Sequence, residues 1–222
     1  SVWTAEQQEM AFYYLAAIAC RRGDHAQGLE FIDRSLVKNT HNLKARNLRG
    51  VLLHLLGKQD EAVSQLQSNL ALDPFDYCSR LELDRQQGTG HAATLALMGN
   101  RASSFIECAI DLAEAGLYER AVETLRLCSA DAPMLKYYEA YYCAKLGDEK
   151  GKAVAYAAAP NCSPLYCFPN RLEDLCVLEY AIAESTQDAK AAYYLGCLYY
   201  DKRQYDVARK LWETSAKLDE TF

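Results

Sequence analysis

The cysteines are the side chains of this sequence with the widest range of possible chemistry, because thiolates bind metals, form disulfides and act as nucleophiles. There are nine of them, and no two have the C-x2-C spacing. Cys162 and Cys167 form a C-x4-C pair between Cys143 and Cys176. Structural zinc sites usually combine two such tight pairs, and a second pair is missing here. We therefore predict reduced, packed thiols in a cytoplasmic protein, with no metal and no other cofactor.

Three further polar groups are weak candidates for catalysis. The histidines at positions 25, 41, 54 and 91 are scattered, and the sequence places none of them beside a cysteine as a nucleophilic pair requires. The acidic residues between 173 and 184 share one predicted helix, which indicates a solvated face rather than two carboxylates across a cleft. The glycines of "GTGH" at 88–91 lack the lysine and the preceding strand of a phosphate loop, so they are predicted to form a linker. The sequence therefore predicts a non-enzymatic protein.

Tyrosines are the residues whose placement favours recognition. There are sixteen, and five pairs are adjacent in the chain: 13–14, 137–138, 141–142, 193–194 and 199–200. Adjacent helical residues point about 100° apart, so one member of each pair can lie in the core while the other faces outward. Tyrosine offers a large rigid surface and one hydroxyl, which suits binding. The alternative is that these rings only pack against neighbouring helices.

The elements that position these tyrosines are helices in pairs. Small residues recur twelve positions apart, as in Gly50 with Ala62 and Gly196 with Ala208. The same spacing joins Ala16 to Gly28 and Ala109 to Ala121, and a weaker copy joins Ala140 to Ala153 one residue late. The periodicity predicts paired helices near 5–21 with 24–38, 42–56 with 59–72, 101–115 with 118–129, 133–146 with 148–158, and 188–201 with 204–217. A shortened pair is predicted at 77–86 and 91–98, and a single helix near 171–185.

The proline-rich segment 159–170 is predicted to be irregular. Its prolines at 160, 164 and 169 each remove a backbone donor and disfavour helix in the preceding residue. No run of residues alternates polar and apolar side chains for long, so no strands are predicted. The small residues are expected to let helices approach closely, and a bulky replacement of Gly50 or Gly196 should cost about 1–3 kcal/mol.

The segment "AAYYLGCLYYDKRQYDVARKLWETSAKLD" at 191–219 resembles a tetratricopeptide repeat (TPR). Leu195, Gly196, Tyr199, Ala208 and Trp212 match the motif of that family, whereas alanine at 192 and glutamate at 220 replace its leading aromatic and closing proline. The resemblance implies an all-α, TPR-like α-solenoid of stacked antiparallel helix pairs. It divides residues 1–222, taken as a single domain, into repeats near 9–42, 43–76, a degenerate 77–100, 102–133, 133–159, a loop at 160–170, a helix at 171–185 and a repeat at 189–222.

In TPR arrays the first helix of each pair lines a concave surface that binds peptides or partner helices, so the resemblance also implies a binding face. By repeat register this predicted face comprises Tyr13, Lys44, Asn47, His54, Tyr137, Tyr141, Lys145, Lys190, Tyr193 and Tyr200. Four of its rings, at 137, 141, 193 and 200, are predicted to be accessible, and their neighbours at 138, 142, 194 and 199 more buried. For His54 a surface or helix-end position is the alternative. Lys44 and Asn47 do not have the register of the TPR clamp for chaperone tails.

A second resemblance concerns residues 167–213, from "CFPNRLEDL" onward. This segment is similar to the helical-repeat region that ends certain large bacterial proteins with an amino-terminal β-rich domain linked to carbohydrate metabolism.

The two resemblances imply two alternative functions. The first is a non-enzymatic scaffold that binds a protein, a peptide or another domain of its own chain, possible also as a homodimer. The second is an accessory region of a carbohydrate-processing enzyme whose active site lies in another domain.

Charge and hydropathy narrow the classes of partner. The net charge is −6, from 24 basic and 30 acidic residues, and no basic cluster suggests a nucleic-acid surface. No apolar stretch approaches the roughly 18 to 20 residues that a membrane span requires. We therefore expect neither nucleic acid nor membrane as a partner. Since the sequence starts at Ser1 without methionine, we expect it to be a fragment of a larger chain.

Overall fold

The computed structural model describes residues 4–221, and regular structure in this range is helical, with no strand. The helices are α1 (Ala5–Arg21), α2 (His25–Lys38), α3 (Leu43–Leu55), α4 (Gln59–Leu72), α5 (Tyr77–Gln87), α6 (Ala92–Met98), α7 (Ala102–Glu114), α8 (Tyr118–Arg126), α9 (Pro133–Leu146), α10 (Glu149–Ala158), α11 (Leu172–Glu184), α12 (Ala189–Asp201) and α13 (Tyr205–Leu218). The all-α class and the paired helices are confirmed.

The turns within the pairs use left-handed backbone. Gly23, Gly57, Gly116 and Gly147 follow the first helix of their pairs with φ between 74° and 80°. Glycine adopts this conformation without steric cost, which is why it ends helices so often. In the last pair Arg203 occupies the same place with a φ of 61°.

The small residues predicted between paired helices lie at close contacts. A Cβ added to Gly50 would lie 2.8 Å from Leu66 Cδ2, and one added to Gly196 would lie 2.6 Å from Trp212 Cδ1. Alanines 16, 62, 109, 121, 140 and 208 are fully buried. The exception is Ala153, which is exposed, because Ala155 is the residue of α10 that packs inward.

The chain forms two compact units, residues 1–127 and 128–222, which we call unit 1 and unit 2. Unit 1 contains α1 to α8. An apolar cluster in its first repeats joins α1, α2 and α3 through Tyr13, Ala17, Ile32, Leu48 and Leu52. The shortened pair α5 and α6 is confirmed, and residues 88–91 form the linker between these two helices.

Helix α7 returns to the amino-terminal helix of unit 1. The Arg21 guanidinium donates to the carbonyl oxygens of Ala113 and Glu114, at 3.3 and 2.9 Å. Gly116 lies so close to Arg21 that an added Cβ would meet its Cα at 2.9 Å. We call the contact of α1 and α3 with the end of α7 the clasp of unit 1.

Unit 2 contains α9 to α13, with the irregular segment between α10 and α11. Within 159–170, only a single 3-10 turn at Ala159–Asn161 is regular, so the predicted excursion is confirmed. Leu165, Tyr166 and Phe168 are strongly exposed there. Asp174 is buried, contrary to the predicted solvated face, because it accepts from the backbone of Arg171 and from the Tyr138 hydroxyl at 2.7 Å.

Candidate interaction site

The predicted binding face is turned inward in unit 1. Tyr13 is only 5% exposed, its hydroxyl donates to Glu114 at 3.3 Å, and Lys44 Nζ lies 5.3 Å from its ring centroid. This side chain lies on the side of α1 that faces α3 and the end of α7. The clasp then covers it with α7, so Tyr13 is a core residue and its prediction as a partner contact is wrong.

Lys44 is the cation of the clasp. Its Nζ lies 3.0 Å from Asp111 Oδ1 and 2.8 Å from Glu114 Oε2, each of these side chains being about a third exposed. Burial alone would lower the pKa of Lys44, but the two carboxylates outweigh it and raise the pKa above its usual range. Burial raises the pKa of Asp111, despite the opposing attraction of Lys44. Both of these ion-pair partners of Lys44 therefore belong to unit 1.

Asn47 and His54, the other predicted residues of unit 1, also have partners within the unit. Asn47 Nδ2 donates to Asp76 at 3.1 Å, and its Oδ1 accepts from Asn69 Nδ2 at 3.0 Å. His54 is half-buried, with Nδ1 2.8 Å from the Gln59 side chain. The amide of Asn47 thus joins a polar network between helices. The assignment of these two residues as partner contacts stays a prediction. Their side chains do not form a continuous exposed surface.

A small, partly open cavity lies where α1, α3, α5 and α7 of unit 1 converge. Its volume is about 40 Å3, and apolar side chains such as Leu48, Val51 and Leu81 line most of it. Thr124, which is 1% exposed, also lines it. A cavity of this size has room for a few water molecules and not for a peptide side chain of a partner.

In unit 2 the residues of α9 that belong to the predicted binding face differ in exposure. Tyr137 is fully buried, its hydroxyl donates to Asp188 at 2.9 Å, and its ring meets Tyr194 edge-on at 6.3 Å. The prediction of an accessible ring is therefore wrong, because Tyr194 of α12 and Asp188, which directly precedes that helix, contact the Tyr137 side chain. Tyr141 is half-buried against Tyr180. Lys145 is exposed, and its Nζ lies 4.7 Å from the Tyr141 ring centroid.

The last pair of helices carries the exposed part of the face. Tyr193 is 39% exposed and Tyr200 is 55% exposed, as predicted. With the half-buried Lys190 and Cys197 they form one side of α12, at spacings of three, four and three residues. Trp212 of α13 completes the surface. We call these five residues, Lys190, Tyr193, Cys197, Tyr200 and Trp212, the C-terminal stripe.

Contacts from within unit 2 fix the side chains of the stripe. The Tyr200 ring lies 5.5 Å from the Trp212 ring and 5.2 Å from the Tyr205 ring. The Trp212 indole donates to the carbonyl oxygen of Tyr193 at 3.2 Å. Lys190 Nζ donates to the carbonyl oxygen of Cys162 at 3.2 Å. The stripe is therefore an ordered aromatic surface. Sequence reasoning assigned Trp212 to packing alone, and its motif position next to Gly196 is the signal that could have placed it beside these tyrosines.

The neighbouring tyrosines behave largely as predicted. Tyr138, Tyr142 and Tyr194 are buried, with exposures of 0%, 4% and 0%. Tyr199 is half-buried rather than fully packed, and its hydroxyl donates to Glu179 at 3.0 Å. The alternation of buried and accessible rings therefore holds at 193–194, holds in part at 141–142 and 199–200, where Tyr141 and Tyr199 are half-buried, and fails at 137–138.

Neither a metal centre nor a membrane span is found between residues 4 and 221. No three histidine, cysteine or acidic side chains in this range come together as metal ligands would. The cysteines are free thiols, and burial raises the pKa of Cys20 to about 11 and that of Cys167 to about 12. No helix in the same range combines the length and the apolar character needed to cross a bilayer.

Comparison with known proteins identifies the repeat that carries the stripe. Residues 189–222 match the family model of the tetratricopeptide repeat. The match confirms the TPR resemblance and covers α12 and α13. It gives no support to the second resemblance, to large bacterial carbohydrate-associated proteins, which stays a prediction.

Solved structures with distant similarity include TPR proteins from bacteria. The part of MamA from residue 41 to its end, from Desulfovibrio magneticus RS-1, is 13% identical, with 96% of each chain covered and a TM-score of 0.28. PilF of Pseudomonas aeruginosa is 16% identical, with 96% and 77% covered and a TM-score of 0.33. The C-terminal part of a TPR repeat-containing protein from Cytophaga hutchinsonii is 13% identical, with 99% and 85% covered and a TM-score of 0.35. These similarities are too weak to support an argument about arrangement or function.

Proposed function

We propose that this chain is a non-enzymatic protein-interaction module whose partner binds the C-terminal stripe. The observation that carries the proposal is the exposure of two large aromatic side chains, Tyr193 and Tyr200, on a helix of a tetratricopeptide repeat. Repeats of this family typically serve in protein interactions. Exposed aromatic groups that are held in place by their own protein lose little entropy when they are buried by a partner.

The chemistry of the stripe defines the kind of partner. Tyr193, Tyr200 and Trp212 supply apolar area, and the tyrosine hydroxyls can exchange hydrogen bonds at the rim. A partner therefore needs a row of apolar side chains flanked by polar groups, as on an amphipathic helix or an extended peptide. Of the residues predicted from register, Lys190, Tyr193 and Tyr200 belong to this surface. Tyr141 and Lys145 stay proposals on a separate helix, α9.

Selection from a displayed library of random peptides tests this assignment. Peptides selected against the wild-type chain should bind the Tyr200→Ala variant at least about tenfold more weakly, since exposed aromatic anchors dominate such interfaces. Val154→Ala is the matched control, because Val154 is 64% exposed on α10 and lies outside the stripe. Its affinity should equal that of the wild type. Selected peptides that bind both variants equally well would sink the assignment of the stripe as the binding surface.

Cytoplasmic location, a bacterial source and the accessory role in a carbohydrate-processing enzyme stay predictions. No feature of the described residues favours the enzyme-associated alternative over the scaffold.

A further inference from the structure

The C-terminal stripe lies at positions that are buried by a following helix in the first repeat. Tyr193, Cys197, Tyr200 and Trp212 are each 180 residues after Tyr13, Ala17, Cys20 and Ile32. All four earlier residues belong to the buried apolar cluster of unit 1. The same offset relates two buried serines. Ser35 donates to the carbonyl oxygen of Glu9 at 3.0 Å, and Ser215 to that of Ala189 at 2.8 Å. The register is therefore the same in both repeats.

Helix α3 is the element that covers these positions in unit 1. Its residues Ala45, Leu48 and Leu52 complete the cluster formed by Tyr13, Ile32 and their neighbours on α1 and α2. The contact is close, since a Cβ added to Gly28 would lie 3.2 Å from Leu52 Cδ2. The structure thus contains one example of the helix that fits this surface. It is the first helix of a repeat, with apolar residues three and four positions apart.

Helix α1 carries the same apolar pattern, and no other helix among residues 4–221 covers it. Ala11, Tyr14 and Ile18 are each 34 residues before Ala45, Leu48 and Leu52. Tyr14 is 48% exposed and Ile18 is 45% exposed, and Met10 beside them is 51% exposed. We call Met10, Ala11, Tyr14 and Ile18 the N-terminal face. The outer face of a capping repeat is normally polar, whereas an exposed apolar face such as this one invites stacking.

We propose that the N-terminal face of one copy of this chain packs on the C-terminal stripe of a second copy, as α3 packs on α1 and α2 in unit 1. The proposal rests on the stripe as a docking surface, and it names the partner. Continuity with the interface between the first two repeats supports it, because each surface has the register of one half of that interface. Two different faces meet, so every added copy leaves one face of each kind open. The association therefore grows head to tail with concentration.

Two single-face variants of the 222-residue chain test the proposal by light scattering coupled to size exclusion and by sedimentation. The wild type should gain mass with concentration. Ile18→Glu removes the N-terminal face, Tyr200→Glu removes the stripe, and each variant alone should stay monomeric. Mixed in equal amounts they should form a 1:1 dimer, because each supplies the face that the other lacks. Val37→Glu is the matched control, since Val37 is 78% exposed on α2, and it should associate like the wild type.

Several outcomes would overturn the proposal. One is a wild type that stays monomeric up to about 1 mM, the weak end of specific affinities. Another is a mixture of the two variants that stays monomeric, which would indicate a symmetric interface. A third is a single-face variant that still forms large assemblies. Circular dichroism verifies folding, and Tyr14→Lys with Tyr193→Lys replaces any variant that does not fold.

The peptide selection separates this proposal from the proposed function. If library peptides bind through Tyr200 and the wild type is monomeric, the proposed self-association is contradicted, whereas the proposed interaction module is supported. A synthetic peptide of residues 5–22 provides the converse measurement. It should bind the Ile18→Glu chain, lose at least about tenfold in affinity for Tyr200→Glu, and inhibit formation of the 1:1 dimer. Equal binding to both chains would contradict the proposal.

Discussion

Tyr13 in the first repeat and Tyr193 in the last occupy the same repeat position and have opposite surroundings. Tyr13 is 5% exposed, donates to Glu114 and lies beneath Lys44, whereas Tyr193 is 39% exposed. The residue type and the helix position are the same, so neither determines burial. What differs is the next element in space, since α3 and α7 cover Tyr13, while no described helix covers Tyr193. In a repeat fold, the exposure of a side chain is therefore determined by the helix that packs beside it and not by its position in the repeat motif.

The largest expected effect comes from replacing two adjacent tyrosines of α12 by alanine, one at a time. Tyr194→Ala should lower the free energy of unfolding by about 3–5 kcal/mol, because it empties a fully buried site. Tyr193→Ala should cost within about 1 kcal/mol. Tyr199→Ala should lie between them, below the value for a core aromatic, because Tyr199 is only half-buried. Urea unfolding measures all three. Equal losses at 193 and 194 would show that the stripe is part of the core.

A bulky side chain at Gly196 should displace Trp212 and so disturb the C-terminal stripe. Gly196→Leu is expected to cost about 1–3 kcal/mol, because the site has Trp212 within 2.6 Å of an added Cβ. It should also weaken peptide binding, since Trp212 must move. Gly28→Ala is the comparison in unit 1, where the nearest side chain would be 3.2 Å away, and a smaller loss is expected. Thermal unfolding and peptide affinity are the measurements, and unchanged affinity in Gly196→Leu would exclude Trp212 from the binding surface.

The buried tyrosines should make unit 2 sensitive to alkali. Burial, with the Asp188 carboxylate beside it, raises the pKa of Tyr137 above its usual range. An unfolded tyrosine ionises near pH 10, so the stability that Tyr137 contributes is complete below that pH and is lost above it. The slope is about 1.4 kcal/mol per pH unit. Tyr137→Phe should therefore be less stable at neutral pH by about 1 kcal/mol, through its lost hydrogen bond, and the difference should shrink above about pH 10.

Urea titrations from about pH 8 to pH 11 measure this convergence, with Tyr200→Phe on the exposed stripe as the control. A gap between wild type and Tyr137→Phe that stays constant across this range would mean that the phenol of Tyr137 titrates like an exposed one.

The smallest effect is expected from the ion pair of the clasp. Lys44→Met should cost about 1 kcal/mol or less, because Lys44, Asp111 and Glu114 are each about a third exposed and water screens them. The difference should decrease in high salt. Lys145→Met, which removes an exposed cation from α9, is the control. A loss of several kcal/mol would mean that charge, rather than packing of α7 on α1, closes unit 1.

Helix positions could be predicted from the sequence because local periodicity determines them. Each of the thirteen helices in residues 4–221 begins and ends within a few residues of its predicted range, as with α9 at 133–146. The prolines at 160, 164 and 169 likewise determine the excursion by backbone chemistry alone. These signals lie within about one helix pair, so they need no knowledge of the tertiary arrangement.

The binding face could be predicted only in part because it depends on contacts between distant residues. Register placed Tyr13 and Tyr137 on the inner side of their helices. It could not show that α7 returns to cover Tyr13, or that Asp188 at the start of α12 accepts from Tyr137. Tyr193 and Tyr200 were predicted correctly, because no described helix follows to change what their register implies.

The clasp also has a consequence for how unit 1 is expected to fold. Most contacts in a helical repeat join residues of the same pair or the next one, and such contacts form quickly. The hydrogen bond from Tyr13 to Glu114 instead spans 101 residues of chain. Closing so long a segment costs entropy before any contact compensates for it, unless the intervening helices are already in place. We therefore expect helix pairs α1–α2 and α3–α4 to assemble before α7 docks, so that the clasp forms late in folding and opens early in unfolding.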